Sequence, residues 1–383
     1  MKKLSIALLA IASTAFLLVG CSKDTPVSGS EAEVVESTVT NTNDKTASVE
    51  SDSSGDVEET VNDNIPPSEG MVRSKLTNEW IDAALYDQRP IAVMIPNESS
   101  AIPHYSISEA SILYEANVEG RMTRMMAIFD DYESLEKIGN IRSTREYYPY
   151  WAFEWDAILC HFGGTVYNDA ILAKDTTDNL NGNAINDPFY RSSDRSTPHN
   201  AYLNGTLVKE VLKKRGVEEK DRGLADATHF NFALPSTPNT LTQYKEAEDA
   251  VFIDMTPCYP MTKCYFEYND EDGLYYRSQH VSGGTDGPHI DGANGEQLAF
   301  SNILIQSVDY AVRDAKGYLW IETVDSGRDA WYITQGKIIK CTWEKASEFG
   351  ATRYYDEAGN EITLNTGKTM ICIIEDGDMF DFE

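Results

Sequence analysis

Two arginines three residues apart, in the run Ile141-Arg142-Ser143-Thr144-Arg145, stand where a loop enters a predicted helix. Backbone N–H groups at a helix start, joined by bidentate guanidinium donors, suit a carboxylate or a phosphate. The alternative is a pair of arginines bridging carboxylates of the same domain. Arg124 follows a turn at Gly120 and can face Glu119, either as a buried ion pair that closes the domain or as part of the same anion site. Cys160-His161-Phe162-Gly163-Gly164 ends an apolar run, and ligands collect beyond the carboxyl ends of buried strands, where glycines let them approach the backbone. His161 can then be a base, a donor or a core histidine. Cys160 points to the opposite face of the strand, so these two do not make a nucleophile pair.

Arg191, Arg195, His199 and Asn200 share one loop, RSSDRSTPHN, before a helix that Asn200 could cap. Two histidines without a third ligand do not make a metal site, so no metal and no cofactor are expected. In the second half, His289 and Asp291 project to one side of an extended segment, as a small site or as a staple for their loop.

The elements that must hold these groups are legible as apolar runs. Ile91–Ile95, Ile112–Val118, Met125–Phe129 and Ala157–Phe162 are of strand length and continuously apolar, which suits burial on both faces. A helix opened by Ser143 or Thr144 is expected between the last two, and Thr206–Arg215 reads as another, stopped by Gly216. Helices alternating with buried strands imply an α/β domain over residues 71–245. From 246 to 383 the pattern changes to short strands at near-even spacing with turn pairs between them, which implies a mainly antiparallel β domain and an α+β chain overall.

The chain of 383 residues has 62 acidic against 32 basic side chains, a formal charge of −30. That balance argues against a nucleic-acid partner, and any anionic ligand needs a local basic pocket. Residues 1–20 read as a signal peptide: Lys2 and Lys3, an apolar stretch to Val19, then Leu18-Val19-Gly20-Cys21, the cleavage pattern that leaves Cys21 as a lipidated amino terminus. Residues 21–70 have two lysines, twelve acids and no aromatic residue, the composition of a disordered acidic tether. Cys160, Cys258, Cys264, Cys341 and Cys372 remain, and Cys258 with Cys264 could be bridged across a turn.

These same residues resemble the YerB-like bacterial lipoproteins, a two-domain family of unknown function. The resemblance runs from about Arg89 to the end and is carried by RPIAVMIPN, ILYEANVEG, KIGNIRSTR, WDAILCHFGGT, FYRSSDRSTPHNAY, GPHIDGANGEQL and GNEITLNTGKTMICI. Arg121 stands where the family has glycine, and Asn140 where it has proline. The resemblance implies an address on the extracytoplasmic face of a Gram-positive cell membrane. The residues themselves point to a noncatalytic, lipid-anchored envelope protein. Its Arg/His cleft, made by Glu119, Arg124, Arg142, Arg145, His161, Gly163, Gly164, Arg191, Arg195, His199 and Asn200, would hold an anionic or polar wall-related ligand or a protein partner. A hydrolase or transferase acting on envelope polymers, with Glu119 or His161 as general base, is the alternative. No GxSxG or HExxH motif accompanies it. A scaffold whose polar groups all pair internally is the third reading.

Overall fold

The computed structural model describes residues 62–383 except Ala227 and Ser282. Cys21, the signal peptide and nearly all of the tether lie outside the described residues. No helix among the described residues is long and apolar enough to cross a membrane.

Eleven strands form the central sheet: β1 (Ile91–Pro96), β2 (Ile112–Asn117), β3 (Thr123–Phe129), β4 (Ile158–His161), β5 (Asn179–Asn181), β6 (Glu248–Asp249), β7 (Asn302–Val308), β8 (Ser326–Thr334), β9 (Lys337–Lys345), β10 (Thr352–Tyr355) and β11 (Thr369–Glu375). Their spatial order is β6-β9-β8-β7-β11-β2-β3-β1-β4-β5, with β10 also paired to β9. β11 lies parallel to both β7 and β2. One strand from near the carboxyl terminus thus joins strands from the two halves of the sequence, and Thr60–Glu383 is one compact unit.

Alternation explains why these runs are apolar throughout. Ile91, Val93 and Ile95 of β1, Leu113 of β2, and Met370, Cys372 and Ile374 of β11 face one core, with Phe266, Tyr275 and Phe300. Ala92 and Met94, Ile112, Tyr114 and Ala116, and Ile371 and Ile373 face the other, with Tyr148, Trp151 and Trp343. Both faces exclude water, so neither side of a strand tolerates a solvated residue. The first core is covered by a six-stranded antiparallel sheet that includes Tyr265–Asn269 and Leu274–His280.

The fold is mainly β. The expected α/β alternation fails because β2 and β3 are joined by a tight turn over Glu119–Arg121 and most other connections are irregular; among the described residues the α-helices are α1 (Tyr148–Phe153), α2 (Asp169–Leu172) and α3 (Val208–Arg215). The helix expected from Ser143 starts only at Tyr148, with Pro149 in its first turn, where a missing N–H costs nothing. Residues 142–144 are extended instead, wedged between two strand ends. α3 ends as expected at Gly216, which takes φ 67°. The turn Gly205–Leu207 that leads into α3 is capped by Asn204, which accepts from the Thr206 N–H, and not by Asn200. Cys258 and Cys264 are buried free thiols, as are Cys160, Cys341 and Cys372.

Candidate functional site

β7, β11, β2, β1, β4 and β5 all run in one direction, so their carboxyl ends line one edge of the sheet, at Val308, Glu375, Asn117, Pro96, His161 and Asn181. β3 is antiparallel, so its first residues, Thr123 and Arg124, arrive at the same edge, with Arg124 opposite Pro96 and Ala116. The 142–144 segment is fixed there by backbone bonds. The Arg142 N–H donates to the Met94 carbonyl at 2.9 Å, Phe162 N–H to Arg142 at 3.0 Å, and Thr144 N–H to Gly163 at 3.0 Å. The topology therefore brings Arg124 and Arg142 together, though 18 residues separate them in the chain.

Arg124 is 4% exposed. Its Nη1 donates to the Ser143 carbonyl at 2.6 Å, and its Nε has no hydrogen-bond partner among the described residues. Burial, then the neighbouring charges of Arg145 and Arg142, push its guanidinium down to about 10, against weaker support from Glu98. Arg142 is part-buried, and its Nε is likewise unpartnered among the described residues. His199 approaches from the 191–200 loop, with Nε2 3.4 Å from Glu98 Oε1 and 3.3 Å from Ser100 Oγ. Burial lowers its pKa against the pull of Glu98, and Arg142, Arg195 and Arg124 lower it further. Two guanidiniums thus lie near enough to act on each other, with an imidazole beside them. The repulsion between the guanidiniums is only partly relieved by Glu98, a setting that favours an added anion.

The other expected site residues have internal partners. Arg145 grips Glu119 with two donors, Nη2 to Oε2 at 2.7 Å, and spends Nη1 on the carbonyls of Ser143 and Thr144. Glu119 therefore pairs with Arg145 and not with Arg124. Arg195 donates to four carbonyls in a row, Ser100 to Pro103, and so ties its loop to the segment after β1. Arg191 lies over the Phe162 ring at 4.4 Å and donates to Asn200 Oδ1 at 2.8 Å. His161 is fully buried, with Nδ1 2.7 Å from the Gly163 carbonyl and Nε2 3.2 Å from Asn179 Oδ1; burial lowers its pKa. Gly163 takes φ 85°, and an added Cβ would come within 2.6 Å of Asn183, so the close approach it permits is to its own chain rather than to a ligand. Gly164 packs against Asn168 and Thr144 in the same way.

His289 and Asp291 serve different purposes. Asp291 accepts from the backbone N–H groups of Ser106, Ser108 and Ala293 and from Ser108 Oγ, stapling two loops. His289 joins a buried network. Its Nε2 is 2.9 Å from His104 Nδ1, its Nδ1 meets Arg277, and Arg277 donates to Glu115 at 2.7 Å. Glu115 also accepts from Asn97 at 2.7 Å and Thr123 at 2.6 Å. Glu115 and Arg277 are both fully buried and come from the two halves of the sequence. A second buried pair, Glu154–Lys345, spans the halves in the same way. Sequence reading missed Glu98 and Arg277. Glu98 had a signal, as the first acid after a buried strand; Arg277 had none, because it interrupts a strand pattern as a solvent-facing arginine does.

Two family models match this chain: the N-terminal domain of a protein of unknown function (DUF3048) over residues 76–218, and its C-terminal domain over 255–371. YerB of Bacillus subtilis (strain 168), named as a lipoprotein, is 25% identical over 323 residues, covering 82% of this chain and 90% of its own length. The crystal structure of the Bacillus subtilis YerB protein superposes with a TM-score of 0.69 at 24% identity, over 82% of this chain and 99% of that one.

Proposed function

Because this chain belongs to the YerB-like family, whose function is unknown, we propose from its own geometry that it is a lipid-anchored protein of the extracytoplasmic face that binds an anionic, wall-related ligand or partner at Arg142 and Arg124. The address rests on the Cys21 cleavage pattern, and the relative named as a lipoprotein supports it. The observation that carries the binding reading is the pair of guanidiniums at the carboxyl edge of the sheet: among the described residues Arg142 makes no side-chain hydrogen bond and Arg124 makes one, while Arg145 and Arg195 are each engaged by several acceptors. Binding alone suffices here, since Glu119 is held by Arg145 and His161 by Gly163 and Asn179.

The test is retention of the purified chain from Met71 onward on isolated Gram-positive cell-wall fragments. Arg142→Glu should abolish retention, and raised salt should weaken that of the parent chain. Retention unchanged by Arg142→Glu removes the reading.

A further inference from the structure

The same edge of the sheet continues into a groove of about 270 Å³. Val118, Tyr310, Val312 and Leu319 give it apolar walls, and Asn117 and Glu375 give it acceptors. Asn117 is 4% exposed; its Nδ2 donates to the Cys258 carbonyl at 3.3 Å, and its Oδ1 has no partner among the described residues. Glu375 is exposed at the end of β11, beyond Ile373, which pairs with Ala116. Arg121 also lines the groove, and its guanidinium is engaged by Asp378 at 3.6 Å and by the Pro257 and Cys258 carbonyls. It holds that position with φ 58°, the left-handed region that glycine occupies without cost.

The groove adjoins the arginine cluster. Glu119 follows Val118 of the groove wall and is bound to Arg145, whose charge acts on Arg124. Tyr318, between Gly317 and Leu319 of the groove, sits with its ring 5.5 Å from the Arg145 guanidinium. One edge thus offers donors at Arg142 and Arg124, acceptors at Asn117 and Glu375, and apolar walls beside the acceptors at Val118, Tyr310, Val312 and Leu319.

Resting on the anion-site reading above, we propose that the ligand is a short zwitterionic peptide, with its carboxylate at Arg142 and Arg124 and an amine in the groove at Asn117 and Glu375. The spacing fits. β11 and β3 are two strands apart and β11 and β1 three, so at about 4.8 Å per strand Glu375 lies roughly 10–15 Å from the arginines, with Asn117 of β2 on the way between them. An extended chain advances about 3.3 Å per residue, so three or four residues span that distance. A mineral anion fills only the arginine end and leaves the groove unused. A peptide meets both ends and lays apolar side chains against Tyr310 and Leu319.

The experiment is calorimetric titration of the chain from Met71 onward with Lys-Ala-Ala, with its carboxy-terminal amide, and with its fully N-acetylated form. Amidation and acetylation should each weaken binding by roughly tenfold or more, since each removes one charge-assisted contact. Glu375→Gln should abolish the penalty for acetylation and keep the penalty for amidation; Arg142→Gln should do the reverse. If amidation is penalised but acetylation is not, the groove assignment fails and the arginine site stands. If neither matters, or the peptide does not bind, the peptide proposal is overturned, and the wall-fragment test alone decides the arginine site.

Discussion

Acidification from pH 7 to pH 5 should strip this protein of much of its stability, because three histidines are folded into places where they cannot take a proton. His104 is fully buried and His229 is 3% exposed. Burial pushes the first down to about 3 and the second down to about 4. His289, buried beside Arg277 and His104, is shifted in the same direction, with burial again the main cause. In the unfolded chain each titrates near its ordinary value of about 6.5. Their folded-state values are depressed, so between about 6.5 and 4 the unfolded state binds more protons. The stability these groups lend is complete above that window and falls as pH drops through it. At pH 5 the loss relative to pH 7 is about 2 kcal/mol per histidine, hence about 4 kcal/mol for His104 and His229 together, with His289 adding in the same sense. Against a total of roughly 5–15 kcal/mol for a folded domain, that is a large fraction. Urea denaturation of the chain from Met71 onward, followed by tryptophan fluorescence, reads it directly. With a slope of about 3 kcal/mol per molar for a chain of this size, the midpoint should fall by more than roughly 1 M between pH 7 and pH 5. His229→Gln should remove about 2 kcal/mol of that dependence, the share of its own depressed imidazole. A midpoint that stays level from pH 7 to pH 5 would refute the claim that these imidazoles are held neutral.

Two further outcomes follow from buried charge and from the amino terminus. Arg277→Met leaves Glu115 fully buried without its ion-pair partner and should cost about 3–5 kcal/mol, whereas the double change Glu115→Gln with Arg277→Met removes both charges and should recover a good part of it. Equal midpoints for the single and double variants in urea would contradict the pairing. Cys21→Ser in the full chain should abolish incorporation of a labelled fatty acid and move the protein from the membrane fraction to the medium; a variant that stays with the membrane would show that lipid on Cys21 is not what holds it there.

The arginine edge shows where sequence reading stops. Arg124 and Arg142 are visible in the sequence as basic residues near strand ends, and the fold brings both to the carboxyl edge of the sheet. Arg145, Arg191 and Arg195 look the same in the sequence, yet they are engaged by Glu119, by Asn200 and the Phe162 ring, and by four carbonyls. Which arginine keeps an unpartnered nitrogen depends on loop geometry that spacing does not encode. The helix placed at Ser143 failed for a related reason. Residues 142–144 gain backbone bonds to Met94 and Gly163 by staying extended, and those partners lie far away in the chain.

Sequence alone determined the acidic composition of the first 70 residues and the main buried strands, because composition is local and a strand covered on both faces must be apolar at every position. Only the tertiary structure decided that β11 enters between β7 and β2, that Glu115 meets Arg277 across 162 residues, and that Glu154 meets Lys345. Ion-pair partners are chosen by strand register and by which faces are pressed together, and both are properties of the assembled sheets rather than of any stretch of chain.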